Sequence, residues 1–197
     1  MQFEGIFTPI VTPYYNDFSL NGNALAETVE HLIAAGVNGI VVAGSTGEYY
    51  AQDSEERLEM MTRCAGLIKG RVPIVMGTGA IRTEDSIMYA KAAKKAGADA
   101  LLVATPPYAY PTGRETALHA LSVDRAANLP VMLYNYPGRK SVDMDEDCLD
   151  RLGRSPNFCG IKESSGDINR LHLLARDYPH IASVSYTHLT LPTKRIV

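Results

Sequence analysis

A single amine stands out. Asn157-Phe158-Cys159-Gly160-Ile161-Lys162-Glu163-Ser164-Ser165-Gly166-Asp167 starts as an apolar run with strand character, carries one lysine to its far end and then turns polar and glycine-bearing at once. The C-terminal ends of strands are where a parallel α/β barrel builds its site, because the loops that follow the strands converge there. A free lysine leaves only about one molecule in 10³ neutral at pH 7, whereas burial that lowers its pKa to about 7–8 makes it a nucleophile for a carbonyl carbon. The plainer alternative for Lys162 is a strand-end lysine that lays its stem on the surface and puts its head in water.

The other strand ends add matching chemistry. They are Gly44-Ser45-Thr46-Gly47-Glu48, Gly77-Thr78-Gly79, Thr105-Pro106-Pro107-Tyr108 and Tyr134-Asn135-Tyr136-Pro137-Gly138-Arg139. In a barrel they share one mouth, so hydroxyls, a phenol, a guanidinium and the amine would line one small pocket. Forming an imine moves protons on and off a carbinolamine oxygen, work that suits a phenol backed by a second hydroxyl. The turn at Gly44–Gly47 offers backbone N–H groups for a carboxylate or phosphate, or is simply a tight turn. It lacks the Gly-Lys-Ser/Thr of a phosphate-binding loop and is not Gly-x-Ser-x-Gly, so nucleotide hydrolysis and serine esterase chemistry fit poorly. Tyr134 could equally be a satisfied core tyrosine, and Arg139 a solvated arginine.

Composition narrows the field. The chain has 197 residues, 46% hydrophobic and 21% charged, enough apolar mass for one core. A formal charge of −3 with no long basic run argues against nucleic acid or an anionic membrane as partner. No stretch reaches about 18 consecutive apolar residues and the N-terminus lacks the form of a signal peptide, so the expected compartment is the cytoplasm. Cys64, Cys148 and Cys159 suit reduced core thiols. His31, His119, His172, His180 and His188 form no ligand pair, so no metal is expected.

The elements that must position these groups alternate. Gly5 to Pro13 reads as a first strand; Leu25, Val29, Leu32 and Ile33 share a helical face that Gly36 ends. Gly39-Ile40-Val41-Val42-Ala43 is apolar without alternation, as in a parallel strand buried on both faces. Asp53 and Glu56 form a capping-box pair for a helix to about Lys69, and Pro73 to Met76 is a third strand. Thr83 is placed to cap the next helix, Ala100 to Ala104 is a fourth strand, and a helix over about 114–127 leads to a fifth strand, Pro130 to Tyr134. A helix over about 145–152 leads to the lysine strand; Asp167 caps a helix whose apolar face is read as Ile168, Leu171, Leu174 and Ala175. Ala35-Gly36-Val37-Asn38-Gly39 echoes in Ala96-Gly97-Ala98-Asp99-Ala100 at an offset of 61 residues, two βα units. A glycine-rich dinucleotide turn after strand one is missing, so the expected fold is α/β, a (β/α)₈ barrel. It is incomplete: six βα units and a seventh strand at 181–184 can be traced, where a closed barrel takes about 250 residues.

With these residues in view, the chain resembles the dihydrodipicolinate synthase and N-acetylneuraminate lyase family through Gly-Ser-Thr-Gly-Glu at 44–48, Tyr-Asn-Tyr-Pro-Gly-Arg at 134–139 and Gly-Ile-Lys-Glu-Ser-Ser-Gly-Asp at 160–167. The resemblance implies a (β/α)₈ class I lyase that forms a Schiff base with pyruvate or a related 2-oxo acid and needs no cofactor. It makes Lys162 the imine-forming amine, Tyr134 the proton shuttle, Ser45 the relay hydroxyl, and Thr46 and Gly47 the holders of the pyruvate carboxylate. Tyr108 matches a tyrosine inserted into a neighbouring subunit's relay, which implies a homodimer or tetramer. Arg139 matches the arginine that holds the second substrate's carboxylate in the synthase branch, where the second substrate is an aldehyde.

Two departures shape the expectation. The family's Gly-Asp-rich turn after the seventh strand, its eighth strand and its C-terminal helical region have no counterpart here, and residues 186–197 show neither helical period nor glycine turn. The expected organisation is therefore a partial barrel over residues 1–184 with a non-family tail over 185–197, an incomplete pocket wall and unpaired strand edges. Two rival functions stay open: a 2-oxo-acid aldolase, dehydratase or deaminase of sugar-acid or hydroxyproline breakdown, and a partial barrel that binds without turnover.

Overall fold

The computed structural model describes residues 3–185. Seven strands alternate with helices: β1 (Phe7–Pro9), β2 (Gly39–Val42), β3 (Ile74–Gly77), β4 (Ala100–Ala104), β5 (Val131–Asn135), β6 (Phe158–Glu163) and β7 (Ala182–Ser185). The helices are α1 (Gly22–Ala34), α2 (Ser54–Ile68), α3 (Thr83–Ala96), α4 (Gly113–Ala127), the single turn α5 (Pro137–Lys140), α6 (Glu146–Leu152) and α7 (Ile168–Asp177). All strand pairs are parallel and in sequence order, β1 to β7. Among the described residues β1 pairs with β2 alone and β7 with β6 alone, so the sheet is a barrel left open between its first and last strands.

Alternation along each strand sorts two cores. Outward residues such as Ile40, Val42, Met76, Leu101, Val103 and Leu133 pack with Val29, Met60, Cys64, Ala90, Val123 and Leu149 of the helices. Inward residues form a second cluster of Val41, Val75, Ala100, Leu102, Ala104, Met132 and Tyr134, joined by Phe3. Both faces of the central strands are thus dry, and β2 to β5 are buried along their whole length, as their unbroken apolar runs require. Phe3 lies across the first half of β6, where a side chain at Gly160 would meet its ring at 2.6 Å.

Several caps follow the sequence. Asp53 and Glu56 exchange both bonds of the capping box, and Asp167 accepts from the Asn169 amide. Gly36, beyond α1, takes a φ of +78°. Elsewhere the structure differs. Thr83 is the first residue of α3 rather than its cap; Arg82 holds the cap position without a side-chain bond, and the Thr83 hydroxyl is spent on Nδ1 of His119 at 3.0 Å. That ring is buried, which pushes its pKa down to about 4. On α7 the expected apolar face is rotated: Leu174 is buried, but Ile168 and Ala175 are exposed and Arg170 is turned inward. A buried carboxylate, described below, decides that rotation. The first strand is three residues rather than the nine of Gly5 to Pro13: Gly5 takes a left-handed φ of +83° and Pro13 has no amide to give a ladder. The seventh strand runs to Ser185, and the rest of the expected tail lies outside the described residues.

Cys64 and Cys148 are buried free thiols, each pushed up to about 12 chiefly by burial, and Cys159 is half-buried. The end of β3 is a close backbone approach, because a Cβ at Gly77 would stand 2.2 Å from the Ala43 carbonyl oxygen. Gly77→Ala should force β2 and β3 apart at the rim and cost about 1–3 kcal/mol, read as a lower urea midpoint with an unchanged slope.

Candidate active site

Position along adjacent strands brings the amine and the phenol together. Tyr134 on β5 pairs in register with Lys162 on β6, and both side chains take the inward direction of the alternation. Lys162 Nζ lies 4.5 Å from the centre of the Tyr134 ring. Tyr134 is 3% exposed and Lys162 half-buried, so the ammonium form loses most of its water. Burial first, and the positive charge of Arg139 second, push the Lys162 pKa down to about 8.

The same register puts Asn135 and Glu163 on the outer face, behind the pair. Glu163, 1% exposed, accepts from Asn135 Nδ2 at 3.0 and 3.1 Å, from the Ser165 amide at 2.8 Å and from Arg170 Nε at 2.7 Å. Asn135 also donates to Asp143 at 2.6 Å and accepts from the Met144 amide at 3.0 Å. Arg170 continues to Asp143 at 3.4 Å and donates to the Met144 carbonyl. This brace ties β5, β6, α7 and the loop before α6 together directly behind the amine. Sequence reasoning missed the brace, although Asn135 and Glu163 lie in the quoted stretches; the available signal was that each polar residue stands one step beyond an inward-facing site residue.

Ser45, Thr46 and Gly47 form a single 3₁₀ turn at the end of β2. The amides of Gly47 and Glu48 donate back to Gly44 and Ser45, while those of Ser45 and Thr46, as the first residues of the turn, are not used by it. The turn is held from behind: Thr12 Oγ1 donates to the Gly47 carbonyl at 2.7 Å, and Gln52 Nε2 reaches Thr12 Oγ1 at 3.2 Å and Tyr14 at 3.0 Å. A side chain at Gly47 would stand 3.0 Å from the Ile10 carbonyl oxygen. Thr46 is exposed and Ser45 half-buried.

Arg139 is exposed on α5, its guanidinium 5.4 Å from the centre of the Tyr136 ring, which in turn lies 6.0 Å from that of Tyr134. Tyr108 projects from the loop after β4, 85% exposed and with a left-handed φ of 71°. The structure therefore brings Lys162, Tyr134, Tyr136 and Arg139 into one series, sets the 45–47 turn at the same end of the sheet, and leaves Tyr108 projecting from this chain. Among the described residues, no group of three or more His, Cys, Asp or Glu side chains could hold a metal ion, and no helix is long and apolar enough to cross a membrane.

An open parallel α/β barrel with a half-buried strand-end amine is the class that these features define. Within it, the Dihydrodipicolinate synthetase family model matches residues 2–184, and the chain belongs to that family of Schiff-base lyases. It is 39% identical over 169 residues to the 4-hydroxy-tetrahydrodipicolinate synthase of Pseudomonas aeruginosa, covering 86% of this chain and 58% of that protein. Among solved structures it is similar to the chloride-inhibited dihydrodipicolinate synthase of Acinetobacter baumannii complexed with pyruvate, at 37% identity and a TM-score of 0.88, covering 93% of this chain and 64% of that one. It is also similar to YagE, a prophage protein of the same family from E. coli K12 in complex with pyruvate, at 28% identity and a TM-score of 0.89, covering 94% and 64%. The chain thus spans about three fifths of the length of such relatives.

Removing Arg170 leaves the Glu163 carboxylate buried without a cation, whereas removing the Glu163 charge leaves Arg170 with Asp143. Arg170→Ala should cost about 3–5 kcal/mol by chemical denaturation, Glu163→Gln less, and the double replacement less than their sum.

Proposed function

We propose that the chain carries the catalytic face of a pyruvate-dependent Schiff-base lyase, most like 4-hydroxy-tetrahydrodipicolinate synthase, which joins pyruvate to aspartate semialdehyde in lysine biosynthesis. The observation that supports it most is the Lys162 amine, lowered to about 8 and 4.5 Å from the Tyr134 ring. In this reading neutral Lys162 attacks C2 of pyruvate, and the carbinolamine loses water to give the imine. Tyr134 carries the protons, relayed by Ser45 and by Tyr108 from a partner subunit in a dimer or tetramer. The amides and hydroxyl of Thr46, with the Gly47 turn, hold the pyruvate carboxylate. Loss of a methyl proton turns the imine into an enamine, whose carbon attacks the aldehyde while Arg139 holds the aldehyde's own carboxylate. The protonated imine nitrogen is the electron sink, so the scheme calls on no metal or cofactor, and it is assigned to the cytoplasm.

Borohydride reduction with pyruvate tests the reading, since the imine leaves a fixed added mass on the peptide that contains Lys162. Lys162→Ala should add none, and Tyr134→Phe should slow trapping by about 10²–10⁴. An unsubstituted chain that gains no mass would overturn the proposal in favour of a binding or inactive partial barrel. Offering candidate aldehydes and 2-oxo acids singly to the trapped-competent protein separates the synthase from the sugar-acid and hydroxyproline lyases. The trapping rate should rise with pH to half its maximum near 8, and Arg139→Met should move that midpoint upward. The sign for folding follows from the same group: between about 8 and the ordinary lysine value of 10.5 the unfolded chain holds a proton that the folded chain has released. The Lys162 contribution to stability therefore rises with pH across that window, is fully present above it and is lost as pH falls through about 8.

A further inference from the structure

Arg139 sits on an exposed four-residue turn between Gly138 and the left-handed Ser141, whose own bonds are local: Arg139 and Lys140 amides to the Tyr136 carbonyl, and the Ser141 amide to Pro137. The guanidinium rests against the ring of Tyr136, 5.4 Å from its centre, but these contacts are all local and tie the turn to nothing across the barrel mouth. The next residue supplies a long-range tie. Lys140 Nζ donates to the Tyr49 hydroxyl at 3.0 Å, across 91 residues of sequence, and Lys140 is half-buried. Tyr49 begins the turn that directly follows Ser45–Gly47.

Tyr49 is itself held fast. Arg57, 2% exposed, donates to the Gly77 and Gly79 carbonyls at 2.6 Å each, and its guanidinium lies 4.8 Å from the centre of the Tyr49 ring and 3.8 Å from that of Tyr89. A side chain at Gly79 would come within 3.0 Å of the Tyr49 hydroxyl, so glycine there keeps the oxygen open to Lys140. Among the described residues neither Arg57 nor Lys140 has a carboxylate ion-pair partner; both cations are spent on ring faces, carbonyls and one phenol. A continuous path runs from the end of β3 through Arg57 and Tyr49 to the turn that bears Arg139.

We propose that Tyr49 and Lys140 form a strap that sets the span between the Ser45–Gly47 turn and Arg139, and thereby select the length of the carboxylate-bearing second substrate; they are positioning residues, and the idea rests on the lyase reading above. The phenol and ammonium touch neither substrate. They fix the distance between two carboxylate sites, a quantity to which catalysis is steeply sensitive, since a displacement of about 1 Å can cost about 10²-fold.

The test uses the full chain with Tyr49→Phe, which keeps the ring against Arg57, and Lys140→Met, which keeps most of the stem. Each should speed amide hydrogen exchange at residues 139–141 and raise the KM for aspartate semialdehyde about 5- to 50-fold. The KM for pyruvate and the trapping of pyruvate at pH 9 should stay within about twofold, the double variant should be no worse than either single one, and Lys140→Arg should restore most of the loss. Unchanged exchange at 139–141, or equal increases in both KM values, would overturn the strap. Failure of the unsubstituted chain to trap pyruvate would instead sink the lyase reading, and the exchange measurement would still decide whether the strap holds the turn.

Discussion

The parallel register between β5 and β6 is the constraint on which the rest depends. One alignment, Tyr134 with Lys162, places an amine beside a phenol on the dry inner face; the next, Asn135 with Glu163, places a carboxamide and a carboxylate on the equally dry outer face. A slip of one residue would send Lys162 among the helices and Glu163 into the barrel, so either error buries a charge without its partner. A buried ion pair is weak support for stability when set against a well-packed apolar pair. Its value here is discrimination: Arg170, Asp143 and Asn135 satisfy Glu163 only in the register that also delivers Lys162 to Tyr134.

Within that frame the amine feels opposing influences, and their sizes decide the outcome. An aromatic face 4.5 Å from an ammonium favours the charged form, by about 0.5–2 kcal/mol. The fall from 10.5 to about 8 corresponds to roughly 3 kcal/mol in the other direction. Desolvation therefore outweighs the ring, with Arg139 adding to it through repulsion. Arg139, at the outer end of the series through Tyr136 and Tyr134, thus helps lower the Lys162 pKa, which couples the electrostatics of the two ends of that series.

Much of this was legible from sequence because its causes are local. Unbroken runs such as Ala100 to Ala104 announce strands dry on both faces, and Asp53 with Glu56 announces a helix start, since each signal is carried by neighbours in the chain. The strand-end positions of Lys162, Tyr134 and Ser45 follow from the same runs. What the sequence hid are choices made by distant partners. Thr83 has the type of a cap, but its hydroxyl goes to His119, 36 residues away. The rotation of α7 is set by Glu163, which outbids the apolar periodicity by drawing Arg170 inward and leaving Ile168 in solvent. Arg57 carries no signal in its own stretch of chain, because its partners, two carbonyls and two tyrosine rings, are assembled only at the folded rim.

The open edge of the sheet does not weigh equally on all parts of the site. Tyr134 and Lys162 lie on strands paired on both sides, β5 between β4 and β6, and β6 between β5 and β7. Their mutual geometry is further fixed by the brace behind them and by Phe3 against Gly160. The Ser45–Gly47 turn belongs instead to β2, whose outer neighbour is the three-residue edge strand β1. Its rear support, Thr12 bonded to the Gly47 carbonyl, comes from the segment that follows that edge strand. The amine and phenol are thus secured by the interior of the sheet, whereas the Ser45–Gly47 turn inherits whatever freedom the edge has. Loosening β1 should shift the Ser45–Gly47 turn before it disturbs the burial of Lys162, because burial of the amine and the seating of the turn rest on different strands.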